Sequence, residues 1–341
     1  MYSLRPAKPS DITAILPLAN EQGARHASLP KTTQSLRSFI QTSEDSFRTP
    51  KGLTAQSGNY FWVLTDQDQV VGTIAIEAFT GQKEPFYSYR RETLINASYR
   101  LKVKQSIPVL YQSHELAGYS QLHSITLASE HRNPRAIAFL IQGILLFIAE
   151  HASYFSDRLL FEFPGFKDER GESPLWNDLG QHFFQMSLKE ACYHASIEDK
   201  ALIAQLMPNQ PLYENLLSNT TQSTLGEPQQ DLADYYQAFI SEGFRPSSHI
   251  DIFDGGPCLT CFTSSLWTKQ ESARTRLTGL PENHTDTIAM NTSKEHPLIL
   301  LLPQHQPDFI QPLNLTSKEW IRWVTLNTEG MSEHHQGEGV L

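Results

Sequence analysis

The sequence predicts an α/β (α+β) fold built around mixed sheets, with a small β-rich C-terminal part. Two β-branched, aromatic-rich runs, Tyr60 to Leu64 and Val70 to Ile76, alternate along the chain with segments of helical periodicity. Hydrophobic residues make up 39% of the 341 residues, which supplies enough apolar surface for sizeable cores and excludes wholesale disorder. The length favours roughly two domains.

The first half of the chain is read as strands and helices in a regular order. Residues 1–80 follow the order β-α-α-β-β: a strand from Tyr2 to Arg5, a helix capped by Ser10 or Asp11, a helix from Gln34 to Thr42, and a hairpin of strands 60–64 and 70–76. Residues 81–165 contain strands near Val109 to Tyr111, at Leu122 to Leu127 and at Leu159 to Phe163, and an apolar, buried helix from Pro134 to about His151.

The second half is less regular. Its predicted helices span Pro174 to Phe184, Glu198 to Leu206 and Asp231 to Glu242; its strands span His249 to Phe253 and Cys258 to Thr263, and the polar stretch Ser218 to Asp231 is read as a loop. Short apolar runs at Leu298 to Leu302 and Trp320 to Leu326 indicate the β-rich ending, and residues 331–341 form a frayed tail.

Charge and cysteine usage exclude several classes of function. The formal net charge of −10 and the pI near 5.7, without a basic block, argue against nucleic acid and anionic membranes as partners. The most apolar stretch, Ile137 to Ala149, is too short for the roughly 20 residues of a membrane span, and the N-terminus lacks the apolar region of a signal peptide. Three cysteines cannot form a disulfide framework, so a cytoplasmic protein is expected.

A Cys-x-x-Cys pair at Cys258 and Cys261 looks like half of a zinc site. A second pair is missing from the sequence, because Cys192 is the one other cysteine. No bound metal is therefore expected.

Several sequence blocks carry a family resemblance. They are ASLP at 27–30, EPFYSYRRETLINAS at 84–98, DERGESPLWNDLGQHFF at 168–184, AQLMP at 204–208 and GFRPSSHIDIFDGGP at 243–257. In order and spacing, over roughly residues 1–265, the chain resembles the arginine N-succinyltransferase family, and within it the α chain of the two-subunit arginine/ornithine enzyme.

The resemblance implies a fold and a reaction. The fold is a pair of GNAT-like acyltransferase domains, at 1–165 and 166–265, followed by the β-rich segment 266–330. The reaction moves a succinyl group from succinyl-CoA to the α-amine of arginine or ornithine in arginine catabolism. Acyl-CoA is then a co-substrate and no cofactor is permanently bound, and a homologous β subunit or a second copy is an expected partner.

Such a transfer needs an anion site for the CoA pyrophosphate and a donor for the thioester oxyanion. Family correspondence places the donor strand at Ile125, with Thr126 and Leu127 following, and the phosphate loop at Arg132 and Arg135. Here Arg135 and Ile137 occupy the loop's usual glycine positions, and Pro134 removes one N–H. The two arginines can bind phosphate by charge, or be ordinary residues at a helix start, and Ile125 can equally be a core residue.

The substrate ammonium must also lose a proton. The histidine that the family uses for this step corresponds to Gln229, which cannot act as a base near neutral pH, and a second family histidine corresponds to Asn96. Glu227, two residues from Gln229, is the substitute candidate. These losses leave open an alternative function, a catalytically impaired or non-catalytic α-type subunit that binds a partner chain.

Arginine recognition calls for carboxylates around the guanidinium and a cation for the carboxylate. Glu162, Asp251 and Asp254 are the candidate acids, Arg90 is the candidate base, and Ser28 lies in a matched block. Asp254 also suits a turn before two glycines, and Asp251 suits an outward-facing strand position. Glu162 is the strongest candidate, since it lies between two phenylalanines on a predicted strand.

Overall fold

The computed structural model describes residues 1–21, 29–48, 58–197, 204–276, 285–303 and 319–331. Fourteen strands in these residues join in one twisted sheet in the order β11-β14-β12-β13-β1-β2-β3-β6-β7-β10-β9-β4-β5-β8. Every neighbouring pair in that order is antiparallel except β6 with β7. The predicted mixed α/β class is therefore confirmed.

The strands fall into two halves that meet at the parallel pair. One half contains β1 (Tyr2–Pro6), β2 (Asn59–Asp66), β3 (Gln69–Glu77), β6 (Ser120–Leu127), β11 (Ala273–Arg276), β12 (Thr287–Asn291), β13 (Ile299–Leu302) and β14 (Trp320–Thr325). The other half contains β4 (Ser88–Ser98), β5 (Val103–Ser113), β7 (Arg158–Glu162), β8 (Leu212–Tyr213), β9 (Arg245–Asp251) and β10 (Pro257–Phe262).

Helices cover both faces of the sheet. They are α1 (Ile12–Glu21), α2 (Thr33–Arg48), α3 (Pro134–Glu150), α4 (Gln181–Phe184), which continues a π-helical turn at Trp176–Gly180, α5 (Leu188–Ile197), α6 (Asn219–Thr224), α7 (Ala233–Ser241) and α8 (Trp267–Glu271). None of the helices in the described ranges is long and apolar enough to cross a membrane.

Helix α3 is the centre of the main core. All of its residues from Ala136 to Ala149 are buried, so the predicted buried helix is confirmed. Its apolar side chains pack with Trp62 and Leu122 on one face of the sheet, whereas α1 and α2 cover Phe61 and Ala75 on the opposite face. Alternate residues of a strand face opposite sides, so one strand serves both layers.

Most predicted elements are confirmed, with small shifts at their ends. The loop predicted over residues 218–231 is wrong: Ser218 caps α6 by accepting a hydrogen bond from the Thr221 N–H, because a serine followed by a polar run is also a helix start. The long strand β4 was not predicted, since most of its outer half is exposed and shows no pattern of burial. Of the predicted helix Glu198 to Leu206, residues 198–203 lie outside the described residues.

The C-terminal strands confirm the predicted β-rich ending, and they belong to the main sheet. Strand β13 pairs with β1, with Ser3 opposite Leu300. Of the predicted tail, residues 332–341 lie outside the described ranges, and the predicted domain boundaries at 165 and 265 stay predictions.

Candidate active site

The parallel strands β6 and β7 separate at one end and leave an opening in the sheet. They pair only where Ser120–Leu122 faces Leu159–Phe161, although β6 continues to Leu127. Ser124 has a φ of +52°, and the register between β3 and β6 shifts between Thr73 and Ala75. This bulge redirects β6 and leaves the edge of residues 123–127 without ladder partners from β7 in the described structure.

The three predicted residues on β6 line this opening. Ile125 and Leu127 are buried in the main core, so their side chains are structural and only their backbone faces the gap. Thr126 is also buried, and its Oγ1 has no hydrogen-bond partner within the described residues. A buried hydroxyl without a partner costs free energy unless a ligand satisfies it.

The opposite wall is formed by the segment that holds Gln229. The Gln229 N–H donates to the Pro164 carbonyl at 2.9 Å, and the Phe166 N–H donates to the Glu227 carbonyl at 3.1 Å. Phe163 donates its N–H to β10. Backbone groups alternate in direction along a strand, so those of Pro164 and Phe166 point to the opposite edge, where β6 no longer pairs. Residues 227–229 therefore enter the opening beside the end of β7.

Gln229 and Glu227 differ in how they face this opening. The Gln229 side-chain oxygen is buried and has no hydrogen-bond partner among the described residues, whereas Glu227 is exposed. The chain thus presents an amide at the predicted position of the base, and the nearby carboxylate is solvated.

A tight turn fixes the end of β7. A Cβ added to Gly165 would lie 2.5 Å from the Asp254 carbonyl oxygen and 2.7 Å from the Gly256 nitrogen, and Gly255 has a φ of +74°. The backbones therefore meet at a distance that only glycine permits. This contact explains the DGGP block.

The two candidate aspartates hold that turn. Asp251 Oδ1 accepts from the N–H groups of Phe253 and Asp254 at 2.7 and 3.1 Å, and Asp254 Oδ1 accepts from the Gly256 N–H at 2.9 Å. Burial, and then the charge of Asp251, raise the pKa of Asp254 to about 6. Both carboxylates are thus occupied by turn geometry beside the site.

The other substrate-binding candidates are separated. Glu162 lies at the base of the opening and accepts a hydrogen bond from the Gln121 amide at 3.1 Å. Arg90 lies on β4, three strands from β7, in ion pairs with Glu92 and Glu115. Ser28 lies outside the described residues.

His123 is a polar residue at this site that the sequence reasoning missed. Its Nδ1 lies 3.0 Å from Ser124 Oγ, and its Nε2 is buried with no partner within the described part of the chain. Burial lowers its pKa to about 4, so the imidazole is neutral at neutral pH. The available signal was a histidine two residues before Ile125, in a strand that otherwise buries its neighbours.

Helix α3 begins just after the end of β6. Asn133 caps it by accepting from the Ala136 N–H at 2.9 Å, and Arg132 Nε donates to the Leu127 carbonyl at 3.3 Å. Arg132 is therefore held at the mouth of the opening. Arg135 is instead paired with Asp286 near the start of β12.

A cavity of about 600 Å³ lies on the α2 side of the sheet. Glu77 and Lys83 line it together with Phe39, whose ring centroid is 6.0 Å from that of His123. Glu77 also lies opposite Gln121 in the β3–β6 register. The cavity thus places an acid and a base around Phe39, the neighbour of His123.

The chain is a CoA-dependent acyltransferase with a mixed α/β fold, as its similarity to known proteins shows. The chain belongs to the arginine N-succinyltransferase family: residues 2–268 match the family described as "Arginine N-succinyltransferase beta subunit". It is 34% identical over 279 residues to the arginine N-succinyltransferase of Yersinia enterocolitica, covering 81% of this chain and 80% of that one.

Two Pseudomonas aeruginosa relatives match to the same degree. Arginine N-succinyltransferase subunit alpha is 35% identical over 78% of this chain and 79% of its own length, and subunit beta is 34% identical over 85% and 86%. The solved structure of arginine/ornithine succinyltransferase subunit AI from the same organism superposes with a TM-score of 0.87 at 29% identity, covering 96% of this chain and 99% of that one.

Proposed function

We propose that this protein transfers the succinyl group of succinyl-CoA to the α-amine of arginine or ornithine. The observation that carries the proposal is the opening between β6 and β7. A backbone edge of β6, a helix start and buried polar atoms that have no partner among the described residues converge there. The alternative of an impaired, non-catalytic chain is not supported, because relatives named as the enzyme and as either of its subunits match equally well.

The acyl-CoA enters the opening with its thioester against β6. The edge left by the bulge at Ser124 offers backbone N–H groups to the oxyanion, and such preorganised donors stabilise a tetrahedral intermediate strongly. Arg132 and the start of α3 lie at the mouth of the opening, where the CoA phosphates need positive charge.

The amino acid occupies the cavity on the α2 side. Glu77 takes the cationic side-chain end and Lys83 takes the α-carboxylate, so the amine points toward His123 and the thioester. The amine attacks the thioester carbon; a C–N bond forms, the C–S bond breaks, and CoA leaves as the thiol.

Proton removal is the step in which this chain departs from a histidine-based mechanism. Gln229 has no titratable group, and His123 is neutral with a pKa near 4, so neither provides a base poised near pH 7. We infer that the enzyme selects the neutral amine, which the Gln229 and His123 side chains orient by hydrogen bonding. The rate then rises with pH toward the pKa of the substrate amine.

The test is CoA release from succinyl-CoA, measured with a thiol reagent, together with mass detection of the succinylated amino acid. We expect kcat/KM to increase about tenfold per pH unit between about pH 6.5 and 8.5, without a plateau near the ordinary histidine pKa. Gln229→His should restore a base and raise the rate near pH 7 at least tenfold. Absence of CoA release with either amino acid would refute the proposal.

Glu77→Gln tests the substrate cavity separately. We expect the KM for arginine to rise at least tenfold, with the KM for succinyl-CoA unchanged, because a charged hydrogen bond contributes about 1.5–3 kcal/mol. Asp68→Asn is the matched control, since it removes an exposed carboxylate at the far end of the same hairpin. An equal KM for arginine in both variants would show that Glu77 does not bind the substrate.

We further infer a cytoplasmic location and a partner subunit. The three cysteines form no disulfide with one another, which suits a reducing compartment. Relatives named as subunits alpha and beta support assembly with a like chain.

A further inference from the structure

The outer part of the β4–β5 hairpin projects from the sheet. In the described structure, β9 pairs with β4 only at Ser88–Arg90, and β8 pairs with β5 only at Val109 and Leu110. Beyond these points the two strands pair with each other alone, from Thr93 opposite Pro108 to Ser98 opposite Val103. We call residues 93–108 the arm.

The arm is exposed and apolar at its end. Residues 95–106 are exposed, apart from the half-buried Ser98. Ile95 is 63% exposed, Tyr99 is fully exposed, and Leu101 is 74% exposed. A two-stranded hairpin is marginally stable alone in water, and clustered exposed apolar side chains mark an interaction surface.

The charge of the arm is opposite to that of the rest of the chain. The arm carries Arg100, Lys102 and Lys104 and none of the chain's 37 aspartates and glutamates, whereas the whole chain has a net charge of −10. The rest of the chain is net acidic, so the part of a second copy outside its arm complements the arm in charge. Two arms would repel each other, so each arm contacts the body of the other copy rather than its arm.

We propose that the arm is the self-association surface of this protein, and that it binds the acidic body of a second copy. An anionic lipid surface would also attract a basic, apolar hairpin, but the net negative charge of the body opposes approach to a membrane. The proposal does not depend on the catalytic assignment, because the arm lies at the far side of the sheet from β6.

Sedimentation velocity of the full chain over a range of concentrations tests the proposal. We expect wild type to dimerise or assemble further, and Leu101→Glu to weaken association at least tenfold, as expected when a central apolar contact is lost. The control is Leu206→Glu, which alters a leucine that is 66% exposed outside the arm and should leave association unchanged.

Charge is tested by the double variant Lys102→Glu with Lys104→Glu. It should weaken association, and added salt should weaken the wild type more than the variant. A monomeric wild type, equal association of Leu101→Glu and wild type, or binding to phosphatidylserine vesicles without self-association would each overturn the proposal. Melting temperatures of the variants verify that they remain folded.

Discussion

Replacing Gly256 by alanine should separate the end of β7 from the turn that supports it. The added Cβ would lie 2.5 Å from the Gly165 nitrogen, 2.9 Å from the Gly165 Cα and closer still to the Phe163 carbonyl oxygen, and all of these are backbone atoms. Ordinary contacts are about 3.5–4.0 Å, so the backbone must move by an ångström or more. No side-chain rotation can relieve the clash.

The loss of stability can be worked out from the hydrogen bonds that this backbone movement breaks. The Phe163 N–H to Pro257 carbonyl bond of 2.9 Å, the Asp251 N–H to Gly256 carbonyl bond of 2.8 Å and the Gly256 N–H to Asp254 bond of 2.9 Å all span the turn. At about 1 kcal/mol for each of the three bonds, with about 1–3 kcal/mol for overpacking, the loss is about 4–6 kcal/mol. For a chain of 341 residues this lowers Tm by about 6–8 °C.

The assay is a thermal melt paired with CoA release at a temperature where the variant is folded. CoA release should fall even at a temperature where the variant is fully folded, because the end of β7 also aligns Gln229 through Pro164. Gly171→Ala is the control: Gly171 has a φ of +77° with no atom near its Cβ, so only the left-handed backbone cost of about 1–2 kcal/mol applies. Equal losses of Tm and activity in both variants would refute the steric reasoning.

Three further predictions concern buried ionisable groups. Burial raises the pKa of Glu242 to about 7 although Thr268 donates two hydrogen bonds to it, so the free energy of unfolding falls as pH rises from about 4.5 to 7. Glu242→Gln should flatten this pH dependence in urea titrations. An unchanged slope of stability against pH would contradict the prediction. Burial raises the pKa of Cys192 to about 12, so its thiol should react with a thiol reagent only after denaturation, and rapid native labelling would be inconsistent. Glu214 is buried and accepts two 2.9 Å hydrogen bonds from the partly exposed Arg91. Glu214→Gln should therefore lower the free energy of unfolding by about 1–3 kcal/mol in the same urea titrations. A loss below about a few tenths of a kcal/mol would show that the ion pair does not stabilise the fold.

The sequence allowed individual helices and strands to be predicted better than the order of the strands in the sheet. The helix at Pro134–Glu150 followed from a proline start and a continuous apolar run, and the strands β2 and β3 followed from β-branched composition. The junction of β13 with β1 joins residues about 300 positions apart, and no local pattern specifies such a pairing. Strand β4 escaped detection because alternation is a signal of burial, and its outer half is exposed.

Some residues of the candidate site could be predicted from sequence motifs, whereas others are recognised only in the packed structure. The DGGP block and the strand at Ile125 were found because they lie in recognisable motifs, and the structure gives the glycines a steric reason. His123 could not be ranked from sequence, since its importance comes from a buried Nε2 that has no partner among the described residues, which only the packed structure reveals. Arg90 was selected by motif alone, and the sheet order places it three strands from β7.

The position of Gln229 also bears on how this site can catalyse without a titrating base. Its backbone is fixed by the ladder bond to Pro164, and Pro164 is fixed in turn by the glycine contact between β7 and the DGGP turn. A backbone held on such a rigid support loses little further entropy when its side chain orients a substrate. Because positioning alone can supply several kcal/mol of barrier reduction, a neutral amide on this support can suffice where the substrate provides its own neutral amine. On the proposed mechanism, the rate therefore depends on the rigidity of the turn rather than on the acidity of any side chain.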